Sequence, residues 1–322
     1  MSVYETFHSP LARAMADFVS FKRMQGYDYT DQARNLSYFD RFLVEDTQQS
    51  SDRLLTLETM ERYVATTAHL TDDSRMTRLA APRQFSRYLQ ARNPASAIFP
   101  ERILPRHRRT IRFFPITPEQ VVDLMAATDI CLRSGGIRVH SIGVLIGLLY
   151  STGLRIGEAL SLTVADIDVD RSTLHVVRGK FGKERLVPMS RSTLTELTGY
   201  LTAREPHMGN SRSSPLFIGS YDTALTYGQA HYWFGRLCRH CAIQGDPPPR
   251  LHDLRHNYAC QVLAHWRRAD MDINALLPVL TTAMGHVRIF DTQIYLHIDA
   301  VALQNAATAF KSYITTQQGF EQ

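Results

Sequence analysis

Long apolar runs, paired cysteines and clustered acids are what this sequence is short of. The longest apolar run, Ile142 to Tyr150, falls well below the roughly 18 residues that a membrane span requires, so it reads as a buried helix. Met1 to Phe21 has no basic start followed by an apolar stretch, and no secretory leader is expected. Four cysteines are scattered, at Cys131, Cys238, Cys241 and Cys260. Cys238 and Cys241 are spaced like half a zinc site around His240, but no second Cys-x-x-Cys pair follows, and packing between helices is their expected use. Neither an internal repeat nor a low-complexity tract is present. The expectation is a cytosolic, reduced protein with no metal site.

The chain has 322 residues, 44% hydrophobic and 21% charged, which suits two ordinary domains with well-built cores. A formal net charge of +5 fits a nucleic-acid partner without requiring one. Pro10 to about Arg92 is nearly all helical pattern. "LARAMADFVSFKRMQGYDY" spaces Leu11, Met15 and Phe18 for one face and stops at Gly26, and "TDQARNLSYFDRFLVED" opens on a Thr/Asp cap. A later helix carries Arg75, Arg78, Arg83, Arg87 and Arg92, with Pro82 expected to kink or split it. These segments predict a bundle of about four helices.

"NPASAIFPERILPRHRRTIRFFP" then breaks the pattern. Its prolines and its Arg102, Arg106, Arg108, Arg109 and Arg112 make it an extended basic linker, either merely solvated or lying along a phosphate backbone. A second domain begins at Ile116, where Thr117, Pro118 and Gln120 form a capping box. Another helix is expected from about Arg138 to Tyr150. "STLHVVRG", the turn "KFGK" and "ERLVPM" predict a β-hairpin, and the rest is helical apart from the loops "HMGNSRSSP" and "QGDPPPR". The fold class expected is mainly α with a small β-hairpin or sheet.

Several charged residues sit where apolar ones would be ordinary. Arg155 lies between two apolar helical segments, and a buried arginine needs a partner or a ligand. Glu158, three residues on, is one such partner; an anion is the other. "RLHDLRHNYACQVLAH" repeats the oddity, with His252, Arg255 and His256 heading a helix. Residues three apart share a helix face, so His252 and Arg255 can present together, and arginine suits multi-donor recognition of phosphate. That stretch is also compatible with a plain capped and solvated helix start. "GHVRIFDTQIYLHI" adds His286 at an expected helix start after Gly285, then Tyr295, and the hairpin tip offers Lys180 and Lys183. Together these suggest a phosphate site with a phenolic nucleophile. Tyr200, Tyr258 and Tyr313 lack an upstream Gly-His and read as structural, as do His140 and His297.

These boxes resemble the tyrosine recombinase family, the phage integrase and Xer group. "TGLRIGEALSLTVADI" is similar to its first arginine box, giving Arg155 with Glu158 in support. "RGKFGKERLVPM" supplies the hairpin lysine as Lys180, "HDLRH" supplies His252 and Arg255, and "GH" and "TQIY" supply His286 and Tyr295. The resemblance covers about Ile116 to Ala309. It implies a helical core-binding domain at 1–98, a basic linker at 99–115 and a catalytic domain at 116–322 ending in an exchange helix. One departure is the longer stretch between Arg255 and His286, expected to extend a loop near Arg267 and Arg268. No additional arm-binding module is expected ahead of the bundle.

By this resemblance, Tyr295 attacks a DNA phosphate and forms a 3′-phosphotyrosyl link through a Holliday-junction pathway. Arg155 and Arg255 neutralise the non-bridging oxygens, His286 adds a hydrogen bond, His252 accepts the phenolic proton and Lys180 protonates the leaving oxygen. Neither metal nor ATP is implied, and the cofactor expected is none. Arg75, Arg78, Arg83, Arg87, Arg106, Arg108, Arg109 and Lys183 are the expected DNA contacts. The implied partners are a double-stranded recombination site and three further copies of the chain, a homotetramer assembled from monomers or dimers, in the cytoplasm with the nucleoid. The tail Ala300 to Ile314 either packs on its own domain or docks into a neighbouring subunit. Two other readings remain: a type IB topoisomerase that only relaxes supercoils, and a catalytically silent DNA-binding accessory protein of the same fold.

Overall fold

The computed structural model describes residues 7–46, 54–99, 113–131, 137–177, 184–209, 211–286 and 288–296. The chain divides into two compact units, Met1–Thr110 and Ile111–Gln322. The arginines at 102, 106, 108, 109 and 112, the lysines at 180 and 183, and everything after Leu296 lie outside the described residues.

The first unit is built from α1 (Ala12–Met24), α2 (Thr30–Glu45), α3 (Leu57–Thr66) and α4 (Asp72–Gln90). Its core is a set of aromatic and long aliphatic side chains, with Met15, Phe18, Leu36, Phe39, Met60 and Phe85 almost fully buried. Thr56 and Thr71 cap α3 and α4 by accepting from the backbone N–H three residues on. Two local expectations change. The residue before α2 is Tyr29, in a left-handed conformation with no side-chain cap, because its ring is turned inward against Phe18 and Thr30 Oγ1 donates instead to Asp28. Pro82 does not split α4: the helix is continuous, with Leu79, Ala81, Pro82 and Phe85 all buried on its packed face, which offsets the lost backbone donor.

The second unit is arranged around α6 (Ile137–Thr152), apolar nearly all round and therefore central. Packed against it are α5 (Pro118–Cys131), α8 (Arg191–Met208), α9 (Tyr227–His240) and α10 (Leu251–Arg268). Thr117 and Gln120 form the expected capping box at the start of α5. Cys238 is buried in this core and Cys241 packs against it. The short α7 (Ile156–Ser161) follows α6 directly and leads into a three-stranded antiparallel sheet, β1 (Ile167–Asp168), β2 (Thr173–Val176) and β3 (Arg185–Pro188). Fully buried Arg204 fastens the loop after α8 by donating to Gly209 O, Pro215 O, Leu216 O and Ser214 Oγ. No described helix is long and apolar enough to cross a membrane.

The longer stretch between Arg255 and His286, expected to extend a loop near Arg267 and Arg268, holds a short break at 269–272 between two helices. α10 runs on to Arg268, Asp272 caps the next helix by accepting from Asn274 N and Ala275 N, and α11 spans Ile273–Ala283. Leu263, Leu277, Leu280 and Met284 bury the pair against each other in a core that includes Tyr295. These residues therefore help to position the segment that carries Tyr295.

Gly153, at φ +65°, ends α6, and a Cβ there would lie 2.3 Å from the Tyr258 ring. Gly153→Ala should cost at least about 1–2 kcal/mol from the left-handed backbone alone, read as a lower urea midpoint. Gly157→Ala, where a Cβ meets nothing within 4 Å, should be neutral or stabilise by about 0.4–1 kcal/mol.

Candidate active site

Three arginines from distant parts of the chain meet the carboxyl end of α11. Arg185 Nε donates to Ala283 O at 2.9 Å, Arg255 Nη2 to Met284 O at 2.7 Å and Arg155 Nη2 to Gly285 O at 2.8 Å. A helix end leaves its last carbonyls without partners and carries partial negative charge, which suits guanidinium donors. The helix stops there because Gly285 takes φ +64°. Gly285 N reaches Thr282 O and His286 N reaches Thr281 O, the bond pattern of a Schellman motif. His286 therefore lies in the turn beyond α11, and the chain is helical again only over 290–296, so the helix start expected at His286 is displaced.

Each arginine is held by local structure. Arg155 stands at the N-cap of α7, where Glu158 accepts from both its backbone N–H (2.9 Å) and its Nη1 (2.8 Å). Arg185 pairs with Val176 across the sheet and shares a strand face with buried Val187, so the pleat turns it inward, where it grips Glu158 bidentately at 3.1 and 2.8 Å. Arg255 follows His252 by three residues on α10 and is 2% exposed, with Nη1 donating to Gly153 O at 2.6 Å. Two guanidinium groups, those of Arg155 and Arg185, thus share one buried carboxylate, while Arg255 bonds to backbone carbonyls. Burial opposes ionisation of Glu158, but hydrogen bonds and charge from Arg185 and Arg155 outweigh it and hold its carboxyl at about 2. Burial first, then repulsion from Arg155, pulls Arg255 down to about 10. A cluster with this excess of positive charge gains from an anion, and its fork-shaped donors suit phosphate oxygens.

The remaining groups line the same region. His286 Nδ1 hydrogen-bonds with the buried Thr292 hydroxyl at 2.8 Å, and Thr281 Oγ1 donates to Thr292 at 2.9 Å, which fixes the ring and leaves Nε2 for a ligand. Burial first, then Arg255 and Arg155, lowers His286 to about 4, so it is neutral at neutral pH. Tyr295 is 2% exposed, its ring parallel to that of His286 with centroids 6.3 Å apart, and burial raises its phenol to about 12. The partner of its hydroxyl differs from the one expected. His256 Nδ1, rather than His252, lies 2.9 Å from Tyr295 Oη, because α10 turns His256 into the core and leaves His252 exposed beside it.

Among the residues expected from sequence, the structure brings together Arg155, Glu158, His252, Arg255, His286 and Tyr295. Lys180 and Lys183 fall outside the described residues. Arg75, Arg78, Arg83 and Arg87 lie on α4 of the first unit, where Arg78 stacks over the Tyr38 ring at 3.5 Å, Arg75 pairs with Asp72 at 3.7 Å and Arg87 is exposed. Tyr200 is a structural tyrosine, its hydroxyl donating to Leu216 O. The sequence alone did not point to Arg185 or to the contact of His256 with Tyr295. The alternation of β3 was the available signal for Arg185.

The sequence model of the phage integrase family matches residues 115–301. The chain is 34% identical over 296 residues to a Sinorhizobium fredii protein carrying the name integrase/recombinase, covering 89% of this chain and 93% of that one. To the tyrosine recombinase XerC of Chlamydia trachomatis it is 32% identical over 226 residues, 69% of this chain and 65% of that one. Among solved structures, XerH site-specific recombinase bound to a palindromic difH substrate superposes with TM-score 0.65 at 18% identity, over 87% of this chain and 79% of that one. The Tn1549 transposon integrase in complex with a circular intermediate DNA gives TM-score 0.64 at 16% identity, over 92% and 98%. At such identities the structural likeness bears on the fold alone.

Two stability outcomes follow from the site. Glu158→Ala leaves Arg155 and Arg185 without their shared carboxylate and should cost about 3–5 kcal/mol in chemical denaturation; a loss below about 1 kcal/mol would mean the arginines do not need it. His256, lowered to about 3, and His286, lowered to about 4, stay neutral in the fold while the unfolded chain protonates them near 6.5. Their contribution is fully present above that value and is lost as the pH falls to about 4 for His286 and about 3 for His256. The melting temperature should drop across that window, and less steeply in His286→Gln.

Proposed function

Since the chain belongs to the phage integrase family of tyrosine recombinases, we propose that it cuts and rejoins duplex DNA at specific sites through a 3′-phosphotyrosyl link on Tyr295. The observation that carries this reading is the meeting of Arg155, Arg255 and His286 with Tyr295 at the carboxyl end of α11. Tyr295 Oη attacks the scissile phosphorus, forming an O–P bond as the bond to the 5′-oxygen breaks. Arg155 and Arg255 take the charge that builds on the non-bridging oxygens, at roughly 4 kcal/mol for each close pair at an effective dielectric near 20. His286 and the exposed His252 donate hydrogen bonds to the same oxygens, and Lys180 protonates the leaving 5′-oxygen. The phosphotyrosine conserves the bond energy, so a 5′-hydroxyl from a paired duplex reverses the step with neither ATP nor metal.

Exchange between two duplexes passes through a Holliday junction and calls for four active sites, hence a homotetramer on paired sites in the cytoplasm, with the nucleoid. The basic residues of α4 and of the stretch before residue 113 serve as phosphate contacts.

Covalent trapping tests this reading. Incubated with nicked duplexes drawn from DNA flanking its gene, in EDTA and without ATP, the wild-type chain should yield a denaturant-resistant protein–DNA band, and Tyr295→Phe none. Arg255→Ala should slow band formation by about 10²–10³. A band that survives Tyr295→Phe moves the nucleophile elsewhere. Tight binding without any band supports a silent DNA-binding protein, and supercoil relaxation without recombinants a topoisomerase.

A further inference from the structure

We propose that His256, and not His252, is the base that takes the phenolic proton of Tyr295 during strand cleavage; the inference rests on Tyr295 being the nucleophile. The contact between His256 Nδ1 and Tyr295 Oη, 2.9 Å long, lies between two side chains that are 8% and 2% exposed. Reach of a hydrogen bond to the proton is what a general base requires, and His256 Nδ1 has it.

The ring of His256 is held in that orientation from several sides. His252 stands edge-on to it with centroids 4.6 Å apart, and Phe113 packs at 5.8 Å. The next residue, Asn257, fastens α10 to the chain entering the second unit by donating to Phe114 O and accepting from Ile116 N. The charged and titratable groups facing His256 are His252, Arg250, Arg255 and His286. Burial first, and then those like charges, keep its imidazole unprotonated down to about 3. The phenol, pushed up by burial, keeps its proton until a base removes it. So weak a base takes the proton late, in step with formation of the O–P bond. The imidazolium then sits beside the negative charge that accumulates on the phosphorane. On religation the same proton returns from Nδ1 to Oη as the phosphotyrosyl bond breaks, so the cycle needs no outside acid or base at this end.

Single-turnover cleavage of a nicked duplex, followed against pH, tests the assignment. A second substrate with sulfur in place of the leaving oxygen, which departs without an acid, isolates the base step. The wild-type rate should be nearly flat between pH 6 and 8 (roughly the range over which neither partner titrates). His256→Gln keeps an acceptor and most of the side-chain volume but cannot take a proton. It should be slower by about 10²–10⁴ on both substrates, with a rate rising about tenfold per pH unit, and His256→Ala should recover rate in added imidazole. His252→Gln should keep the flat profile. A His256→Gln variant with wild-type rate and a flat profile would overturn the proposal, since orientation alone would then suffice; His256→Ala within threefold (roughly 0.6 kcal/mol) of wild type would do the same. Because Gln fills the site, the Gln variant decides the matter even where Ala fails to fold. Tyr295→Phe is run in parallel: a covalent adduct there would defeat the choice of nucleophile, a separate failure from that of the base.

Discussion

Three successive backbone carbonyls, those of Ala283, Met284 and Gly285, each accept a hydrogen bond from a different arginine. The constraint behind this is elementary: a buried helix end must find donors for its last carbonyls. Here the donors come from the N-cap of α7, from β3 and from α10, so one helix terminus gathers side chains 130, 98 and 29 residues away in the chain. The arrangement also joins like charges that would otherwise repel, with Glu158 as the common counter-ion of Arg155 and Arg185. What is left over is positive charge in a half-buried setting with fixed donor directions. Preorganised donors of this kind stabilise charge that develops during reaction without having to move.

Two glycines with left-handed backbones make the crossing possible. Gly153 ends α6 and gives its carbonyl to Arg255, while Gly285 ends α11 and gives its carbonyl to Arg155. At both positions a Cβ would run into a neighbour, Tyr258 in one case and the Arg185 guanidinium in the other. The "TGLR" and "GH" boxes are therefore a packing requirement as much as a chemical one. Thr292 extends the same logic to His286, whose ring it fixes from the helical segment that also carries Tyr295.

Much of this was legible in the sequence because Arg155, Arg255 and His286 stand out against apolar or glycine-bearing surroundings. The helices of both units were legible through their periodicity, and the hairpin through its β-branched runs. Arg185 was not, since an arginine on a short hairpin strand looks solvated until its register against Val176 is known. His256 was hidden for another reason: one helical step separates an exposed ring from a buried one, and its partner lies 39 residues away. The segment before His286 is helix up to Ala283, with Asp272 as the cap signal ahead of "INALLPVL". At Tyr29 a good capping pair lost to the burial of an aromatic ring.

The central claim is that the arginine cluster on α11 is built to receive the scissile phosphate. The most direct measurement is a structure of Tyr295→Phe with an intact duplex carrying the cleavage site. The account predicts non-bridging phosphate oxygens at about 2.7–3.1 Å from both Arg155 and Arg255, with the α11 carbonyl contacts retained. A scissile phosphate held elsewhere, with those two guanidinium groups bound to backbone alone, would contradict it.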